Sequence, residues 1–301
     1  MISIKDKISN RVSNPNRLTE YLFRTICGSW LPSKLYLSVL YRLNIGGKLN
    51  WESPKSFNEK LNWVKVYNRN PLYTKLADKY AAKAFVAERI GGQYVVDNYG
   101  VWDSWESIDF EKLPNQFVLK CTHDSGGAFV CRDKESFDFE SVQKKVCKNL
   151  KKNPYYATRE WPYRNIPPRI IADKLLVDNT GEELRDYKFW CFNGRPTYMY
   201  CTIKADEVYE NFYDMDFNPV MIDHGFPRHS PEFEKPVCFE EMKQLAAVLS
   251  KDIPFVRVDF FQVDGKVYFG EFTFFDWGGT VPFGGDWDKR LGDLLILPRR
   301  N

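Results

Sequence analysis

The stretch VRVDFFQVDGKVYFGEFTFF, residues 256–275, places two largely apolar runs on either side of an Asp264–Gly265 pair. Aromatic and β-branched runs joined by a turn dipeptide predict two antiparallel strands, which commits the chain to a sheet. Arg257, Asp259 and Glu271 lie among these apolar neighbours. An unpaired charge in such a setting costs several kcal/mol, so the hairpin predicts a site as well as a fold.

The length of the turn decides which of these charges meet. With a two-residue turn, Asp259 faces Gly270, and Asp259 and Glu271 lie on opposite faces. With a three-residue loop from Val263 to Gly265, in which Gly265 is left-handed in a bulge, the pairing shifts by one residue. The side chains that then share one face are Arg257, Asp259, Glu271 and Thr273. We predict the three-residue loop because it concentrates the charges.

Two neighbouring carboxylates in an apolar setting repel each other and need either protons or cations. Carboxylate oxygens with a phosphate suit Mg²⁺, so Asp259 and Glu271 are predicted metal ligands. Arg257 would lie beside the same metal, where a guanidinium can hold a phosphoryl or carboxylate oxygen. A buried salt bridge between Arg257 and Glu271, with no ligand, explains the same charges equally well.

A second signal is FVLKCTHDSGG, in which Lys120 ends an apolar strand just before Ser125, Gly126 and Gly127. Backbone N–H groups of a short glycine loop can approach phosphate oxygens, and a lysine beside the loop adds a positive charge. The sequence is not a P-loop, because G-x-x-x-x-G-K-[ST] is absent. A plain hairpin turn is the alternative.

A third signal is IIADKLLVDNTG, in which Asp173, Lys174 and Leu176 lie where a strand passes into a loop. A nucleobase needs polar groups at its edge and apolar walls on both faces, and this crossover offers both. In the next strand, RDYKFWCFNG, Lys188 alternates with its aromatic neighbours and is predicted to point into a pocket. The alternative is a surface lysine on an edge strand.

The overall composition narrows the class of protein. The 301 residues are 44% hydrophobic and 28% charged, as in folded proteins, and the net charge of +3 provides no polybasic field for nucleic acid. Seven cysteines without a C-x-x-C pair predict reduced thiols and hence a cytoplasmic protein. Neither a signal peptide nor a run of about 20 apolar residues is present. A peripheral contact with the inner face of the membrane stays open.

The order of predicted elements favours an α+β fold. Helical spacing over residues 17–45, broken at Pro32, predicts two helices, of which KLYLSVLYRL could bind a membrane surface or pack on its own core. Ser53 or Ser56 could cap the next helix. Helices and strands then interleave without a regular βαβ rhythm.

Taken together and in order, these segments resemble the ATP-grasp superfamily. DKYAAKAFV is similar to the segment whose lysine, here Lys79, reaches the nucleotide phosphates. FVLKCTHDSGG is similar to the phosphate-covering hairpin, ADKLL to the adenine hinge, and RVDFF…GKVYFGEFT to the metal-binding strands. More narrowly, SFNEKLNWVKVYNRNPLYTKLADKY, LKCTHDSGG, REWPYRNIPPRIIADK, DYKFWCFNG and YFGEFTFFDWGG resemble the TupA-like ATP-grasp family of bacterial polysaccharide biosynthesis. This likeness covers residues 34–295.

The resemblance implies two α+β subdomains that clasp ATP, with a helical N-terminal region. We accordingly divide the chain into an N-terminal helical region (1–70), a segment preceding the ATP-grasp (71–111), a lid subdomain (112–172) and a metal-binding subdomain (173–301). Two positions depart from the superfamily pattern. Thr273 replaces the usual Asn as the third metal ligand, and Asp173 replaces the commoner Glu.

The implied reaction is ATP-dependent ligation of a carboxylate to an amine through an acyl phosphate, with Mg²⁺. The residues implied to contact ATP are Lys79, Lys120, Ser125, Gly126, Gly127, Asp173, Lys174, Leu176 and Lys188. Arg257 and Lys120 would act in catalysis, and His123 could help to deprotonate the amine. By family analogy, the acid is a uronic acid of a capsular or cell-wall glycan or its precursor, and the amine is an amino acid or amino sugar.

Two alternatives remain open. A metal-dependent glycosyltransferase would use Asp214 and Asp216 of YDMDFN as a D-x-D pair, although such a pair also forms ordinary polar turns. A binding module of a glycan-assembly complex would keep a nucleotide site without catalysis.

Overall fold

A computed structural model of the protein describes residues 15–125, 127–179, 184–204 and 208–300. It has the predicted α+β architecture with a helical N-terminal region. The helices are α1 (Pro15–Cys27), α2 (Ser33–Asn44), α3 (Phe57–Tyr67), α4 (Leu72–Ala77), α5 (Ala81–Ile90), α6 (Phe139–Leu150), α7 (Tyr155–Thr158), α8 (Phe239–Leu249) and α9 (Trp287–Leu294). The strands are β1 (Asn98–Trp102), β2 (Phe117–Cys121), β3 (Ala128–Cys131), β4 (Ile170–Lys174), β5 (Asp186–Phe192), β6 (Arg195–Lys204), β7 (Val208–Tyr213), β8 (Pro219–Val220), β9 (Phe255–Val263) and β10 (Lys266–Thr273).

The larger sheet has the strand order β10-β9-β5-β6-β7-β8, and its pairs are antiparallel. Alternation along the strands divides its side chains between two faces. One face carries Phe189, Val258 and Phe260, which are buried, and Phe189 packs against Phe239 of α8. The opposite face of the same strands carries the charged residues. Burial of the apolar face fixes the position of the strands that bear them.

The smaller sheet has the order β1-β4-β2-β3, also antiparallel. On one face, Phe117, Leu119 and Ala172 pack with α6 in a hydrophobic core separate from that of the larger sheet. The other face presents Lys120 and Asp173 toward the larger sheet, because strand alternation sends neighbouring residues to opposite sides.

The turn between β9 and β10 differs from the prediction. Val263 pairs directly with Lys266, and the two residues between them, Asp264 and Gly265, have φ values of 49° and 71°. Two consecutive left-handed residues are typical of a two-residue type I′ hairpin turn. The predicted three-residue loop is therefore wrong, although Gly265 is left-handed as expected.

The shift in register occurs instead within β10. Phe269 pairs with Phe260, but Phe272 pairs with Val258, so Gly270 and Glu271 together oppose Asp259. A Cβ atom on Gly270 would lie 3.1 Å from the Asp259 carbonyl oxygen, which explains a glycine at this position. This bulge brings Glu271 to the same face as Asp259.

Helices α1 and α2 form a third, smaller core. Tyr36, Leu37, Leu40 and Tyr41 of α2 are buried, and Phe23 of α1 stacks on Tyr36 with ring centroids 5.1 Å apart. The segment KLYLSVLYRL thus packs on the protein itself, and the helices separate at Pro32 as predicted. In the described residues, no helix combines the length and apolarity that crossing a membrane requires. The seven cysteines are all free thiols.

Candidate functional site

A cleft of about 400 Å³ lies between the two sheets. Most residues singled out in the sequence line it, from both sides: Lys79, Lys120, Ser125, Gly127, Asp173, Lys174, Leu176, Lys188, Asp259 and Glu271. Gly126 lies outside the described residues. Segments separated by up to 192 positions of sequence, from Lys79 to Glu271, thus contribute to one cavity.

Lys79 is held at the junction of the two sheets. The preceding residue, Asp78, accepts a 2.9 Å hydrogen bond from the Tyr80 amide and pairs with Arg169 at 2.7 Å. The Lys79 Nζ atom donates to the Asp124 carbonyl oxygen and lies 3.6 Å from Glu271 Oε2. The ammonium group therefore faces both the loop of the smaller sheet and the carboxylate of the larger one.

Asp173 lies between two lysines. Its Oδ2 atom is 3.0 Å from Lys120 Nζ, and its Oδ1 atom is 3.0 Å from Lys83 Nζ. Lys83 also donates to the Val96 carbonyl oxygen at 2.7 Å, and burial lowers its pKa from the ordinary lysine value. The sequence motifs did not identify Lys83. Its position four residues after Lys79, at helical spacing, was the signal that could have identified it.

Arg257 is the centre of the charged network on the larger sheet. Its Nε and Nη2 atoms each donate to Asp259 at 2.7 Å, and Nη1 donates to Asp276 at 2.6 Å and to the Tyr200 hydroxyl at 3.2 Å. Nη2 also reaches Glu271 at 3.4 Å. All five N–H donors of the guanidinium therefore have partners. The predicted pairing of Arg257 with Glu271 exists, but it is the longest of these contacts.

The charges of this network modify one another. Burial works against the charge of Arg257, yet Asp259 and Asp276 raise its pKa well above the ordinary value. Burial raises the pKa of Asp259 to about 6, against the opposing effect of Arg257. Burial also acts to raise the pKa of Glu271, but Lys79 and other cations hold it below the usual range. Glu271 thus carries a negative charge at the wall of the cleft.

The oxygen donors of the cleft fit a magnesium ion. Asp259 and Glu271 both line the cleft, and 39% of the Glu271 side chain is exposed there. Arg257 contacts three carboxylates and Lys79 contacts one of them, Glu271, so these two cations leave one negative charge for a further cation to neutralise. Oxygen ligands of this kind are those that Mg²⁺ prefers, with its remaining positions on water or phosphate. The described residues contain no group of three or more His, Cys, Asp and Glu side chains able to hold a metal.

A sharp turn after β10 contains Asp276, which accepts a hydrogen bond from Arg257. Asp276, which the sequence motifs did not identify, is buried and also accepts a 3.1 Å hydrogen bond from Trp190 Nε1. The next three residues, 277–279, all have left-handed φ values of 47–63°.

Three polar side chains on one face of α3 hold the carbonyl oxygens of this turn and its continuation. Lys65 Nζ donates to Gly278 at 2.7 Å, Asn62 to Gly279 at 2.7 Å, and Asn58 to Val281 at 2.9 Å. Their spacing of i, i+4 and i+7 follows from the helix period.

A groove of about 970 Å³ continues from the cleft along the charged face of the larger sheet. Lys188 lines both cavities, and its Nζ atom is 3.0 Å from Asp186. Further along, the groove is lined by Arg257, Tyr200, Glu210, Phe226 and Trp277. Trp277 is 45% exposed, and its ring lies 5.1 Å from that of Phe226. The groove therefore combines aromatic surface with polar groups.

Two of the predicted site residues do not reach these cavities. His123 is buried, with Nε2 at 3.3 Å and 3.1 Å from the carbonyl oxygens of Asn149 and Lys152, and so it holds the end of α6. Thr273 pairs with Arg257 across the strands, but it lines neither cavity.

The two aspartates of the glycosyltransferase alternative lie elsewhere. Asp214 accepts hydrogen bonds from the backbone amides of Asp216 and Asn218, at 2.9 Å and 2.8 Å, in the turn between β7 and β8. This is the ordinary polar turn that YDMDFN also predicted. Neither aspartate lines the cleft or the groove.

The family model described as TupA-like ATPgrasp matches residues 59–296. No functionally curated protein matches the chain. Among solved structures, the chain is similar to D-alanine–D-alanine ligase from Bacillus anthracis complexed with ATP, with 15% identity and a TM-score of 0.40 over 73% of this chain and 58% of that one. It is also similar to ATP-grasp ligase PsnB complexed with minimal precursor, with 13% identity and a TM-score of 0.42 over 79% of this chain and 68% of that one. A RimK domain ATP-grasp protein from Sphaerobacter thermophilus has 12% identity and a TM-score of 0.43, over 77% and 72%.

Proposed function

This chain belongs to the TupA-like ATP-grasp family, and from that membership we propose that it is an ATP-dependent carboxylate–amine ligase that acts through an acyl phosphate. The observation that carries the proposal is the cleft itself. Lys79 and Lys120 reach it from the side of the smaller sheet, and Asp259 and Glu271 reach it from the larger sheet. A triphosphate with its cation needs this opposition of positive and negative groups.

The predicted residues that line the cleft each have a role in this proposal. Lys79, Lys120 and Lys188 bind the phosphates, and the backbone of Ser125 and Gly127 covers them. Asp173 accepts and Lys174 donates hydrogen bonds at the edge of the adenine, beside the apolar side chain of Leu176. Asp259 and Glu271 would hold Mg²⁺, which when bound neutralises phosphate charge and lowers the barrier to phosphoryl transfer. Thr273 and His123 lack support from cavity contacts.

Arg257 has a narrower role than the sequence alone implied. Since all five of its N–H donors are engaged, it can bind a substrate oxygen only by giving up one partner. The 3.4 Å contact with Glu271 is the longest and is the one that a phosphoryl or acyl oxygen would replace. Loss of one such donor typically costs about 3 to 4 kcal/mol in the transition state.

We propose the groove beside the cleft as the site of the acid and the amine. Support comes from the exposed Trp277 ring beside Phe226, since sugar rings pack on aromatic faces, and from the exposed Arg132 in the same groove. The family resemblance favours a uronic acid of a capsular or cell-wall glycan, or its precursor, as the acid. An amino acid or amino sugar would be the amine. The seven free thiols support a reducing, cytoplasmic compartment.

Release of ADP tests the proposal. The full chain is incubated with Mg·ATP, a panel of free and UDP-linked uronic acids, and a panel of amino acids and amino sugars, with mass spectrometry of the products. We expect ADP release only when acid and amine are both present, together with an amide product of matching mass. Asp259→Asn and Glu271→Gln should abolish it, whereas Glu240→Gln, at an exposed site on α8, should not.

Two results would contradict the proposal. Binding of UDP-sugars without binding of Mg·ATP, measured by calorimetry, would favour a glycosyltransferase. Tight Mg·ATP binding with no ADP release on any combination in the panel would favour the binding module.

A further inference from the structure

A buried carboxylate–imidazole pair lies at the groove, formed by one of its lining residues and a histidine behind it. Glu210 of β7 and His224 are only 3% and 2% exposed, and Glu210 Oε2 lies 3.0 Å from His224 Nδ1. Because a carboxylate only accepts hydrogen bonds, the Nδ1 atom carries the proton in this contact. An ionisable pair in such an apolar setting is costly to bury, so its position relative to the substrate groove is informative.

Glu210 faces the groove, on the same side of the sheet as Arg257. It pairs with Thr202 across the strands, and both residues line the groove with Tyr200. The Tyr200 hydroxyl in turn accepts the hydrogen bond from Arg257. Glu210 therefore lines the same groove as Tyr200 and as the guanidinium that lies beside the proposed acyl phosphate. The contact with His224 uses one of its two carboxylate oxygens, and the other can serve a ligand.

His224 fixes the direction of this carboxylate. Its ring stacks on Phe283 with centroids 4.9 Å apart and has edge contacts with Trp190 and Trp277 at 5.8 Å and 5.7 Å. An imidazole packed by rings on several sides cannot turn freely, so its Nδ1–H keeps Glu210 in one orientation. Trp277 belongs to the groove wall, and the pair is thus built into the same surface that the substrate contacts.

We propose that Glu210 binds the ammonium group of the amine substrate and takes its proton, with His224 as the positioning residue. This inference rests on the proposed ligase function. At neutral pH an amine arrives as R–NH₃⁺, which cannot attack a carbonyl. Transfer of one proton to Glu210 gives R–NH₂, whose nitrogen forms the bond to the acyl carbon as the bond from that carbon to the phosphate oxygen breaks. The second proton leaves the nitrogen with the departing phosphate, and Glu210 returns its proton to solvent.

This assignment replaces the role that the sequence motif gave to His123. The His123 side chain contacts two backbone carbonyls at the end of α6, whereas Glu210 lines the groove. General base catalysis typically contributes about 10²- to 10⁴-fold to the rate. Removing the carboxylate should therefore reduce amide formation strongly while leaving the first half of the reaction intact.

Hydroxylamine allows the formation of the acyl phosphate to be measured separately from the attack by the amine. It is largely unprotonated at neutral pH, so it traps an acyl phosphate as a hydroxamate without needing a base. The wild-type chain, Glu210→Gln, His224→Gln and the exposed-site control Glu234→Gln are each assayed with Mg·ATP and the uronic-acid panel, first with glycine and then with hydroxylamine. For Glu210→Gln we expect a loss of about 100-fold or more in glycine amide formation, with hydroxamate formation within about twofold of wild type.

His224→Gln should raise KM for glycine more than it lowers kcat, and Glu234→Gln should match wild type in both assays. Hydroxamate formation also reports that each variant is folded. Undiminished glycine amide formation by Glu210→Gln would overturn the inference alone, as would equal loss of amide and hydroxamate. Absence of hydroxamate from the wild-type chain across the panel would overturn the proposed function, and this inference with it.

Discussion

Asp276 accepts a 2.6 Å hydrogen bond from Arg257, although it lies three residues beyond the end of the strand that pairs with the strand of Arg257. It also accepts from the buried indole of Trp190. The turn that contains it is held by the carbonyl contacts of Asn58, Asn62 and Lys65. The geometry of the charged network is therefore fixed from the N-terminal part of the chain.

Asp276→Ala should lower both stability and turnover. It removes the acceptor of two buried donors, so we expect a loss of about 3 kcal/mol in the free energy of unfolding, measured with urea. ADP release should fall further than the unfolded fraction explains, because Arg257 loses one of its fixed partners. The control is Asp286→Ala, whose side chain is 73% exposed. Equal effects of the two substitutions on unfolding would contradict the role given to Asp276.

Lys79 and Lys83 should affect different parts of the nucleotide. Lys79 lies beside Glu271, at the end of the cleft that we propose holds the phosphates, whereas Lys83 holds Asp173, which we propose contacts the adenine. Lys79→Met should weaken Mg·ATP binding about tenfold or more, which is about 1.4 kcal/mol, and leave adenosine binding unchanged. Lys83→Met should weaken both ligands. Calorimetric titration measures the dissociation constants, with the exposed-site variant Lys75→Met as control. A loss of adenosine binding in Lys79→Met would refute this division.

The bulge in β10 predicts that a side chain at Gly270 is destabilising. An added Cβ would lie 3.1 Å from the Asp259 carbonyl oxygen and 3.3 Å from the Phe261 ring, so the backbone beside Asp259 would have to shift by a few tenths of an ångström. Gly270→Ala should cost about 1 to 3 kcal/mol in the free energy of unfolding, by overpacking, and should reduce the Mg²⁺ dependence of ATP binding. Gly92→Ala is the matched control, since no atom lies within 4 Å of its added Cβ. Unchanged magnesium dependence in Gly270→Ala would count against the role of the bulge.

Cys191 should make the protein less stable at alkaline pH. Burial raises the pKa of this thiol to about 12, from an ordinary value of 9.0. Between these values the unfolded chain releases a proton that the folded chain keeps, so the free energy of unfolding falls by about 1.4 kcal/mol per pH unit. The stability gap between wild type and Cys191→Ala should therefore narrow above pH 9.0, when unfolding by urea is compared at several pH values.

Val256→Ala provides the matched control for this pH dependence. Val256 is the buried, non-ionisable residue that pairs with Cys191 on β9. Its substitution should lower stability by the same amount at each pH, because it creates a cavity without removing a titrating group. Parallel pH curves for wild type and Cys191→Ala would contradict the prediction.

The sequence was most informative where chemistry requires a particular residue type. Local motifs in their order along the chain predicted a shared site for Asp259, Glu271, Lys79 and Lys120, and these four residues line one cleft. Packing alone rarely places a charge inside an apolar strand or beside a glycine turn, which is why these residues stood out. The register between β9 and β10 was less accessible. Strand periodicity shows which residues alternate but not where an extra residue is inserted, and the isolated Gly270 within the strand was the only local signal.

Residues that depend on distant contacts were missed for a different reason. Glu210 and Asp276 belong to segments that have the pattern of an ordinary strand and an ordinary turn. Their importance comes from His224 and Arg257, which are close in space but far along the chain. His123 is the opposite case. Its position beside a predicted phosphate-binding loop suggested a catalytic role, but its side chain contacts backbone carbonyls at the end of α6. The subdomain boundaries at residues 70, 111 and 172 stay predictions.

The smaller sheet and α6 bury their apolar side chains among themselves, apart from those of the larger sheet. A unit with its own hydrophobic core can rotate as a rigid body, because the rotation would not expose the apolar side chains of either core to water. Such a rotation would break polar contacts across the opening, such as that between Lys79 and Glu271. In the proposed function, entry of a nucleotide and exit of a product would then require rearranged ion pairs rather than local unfolding.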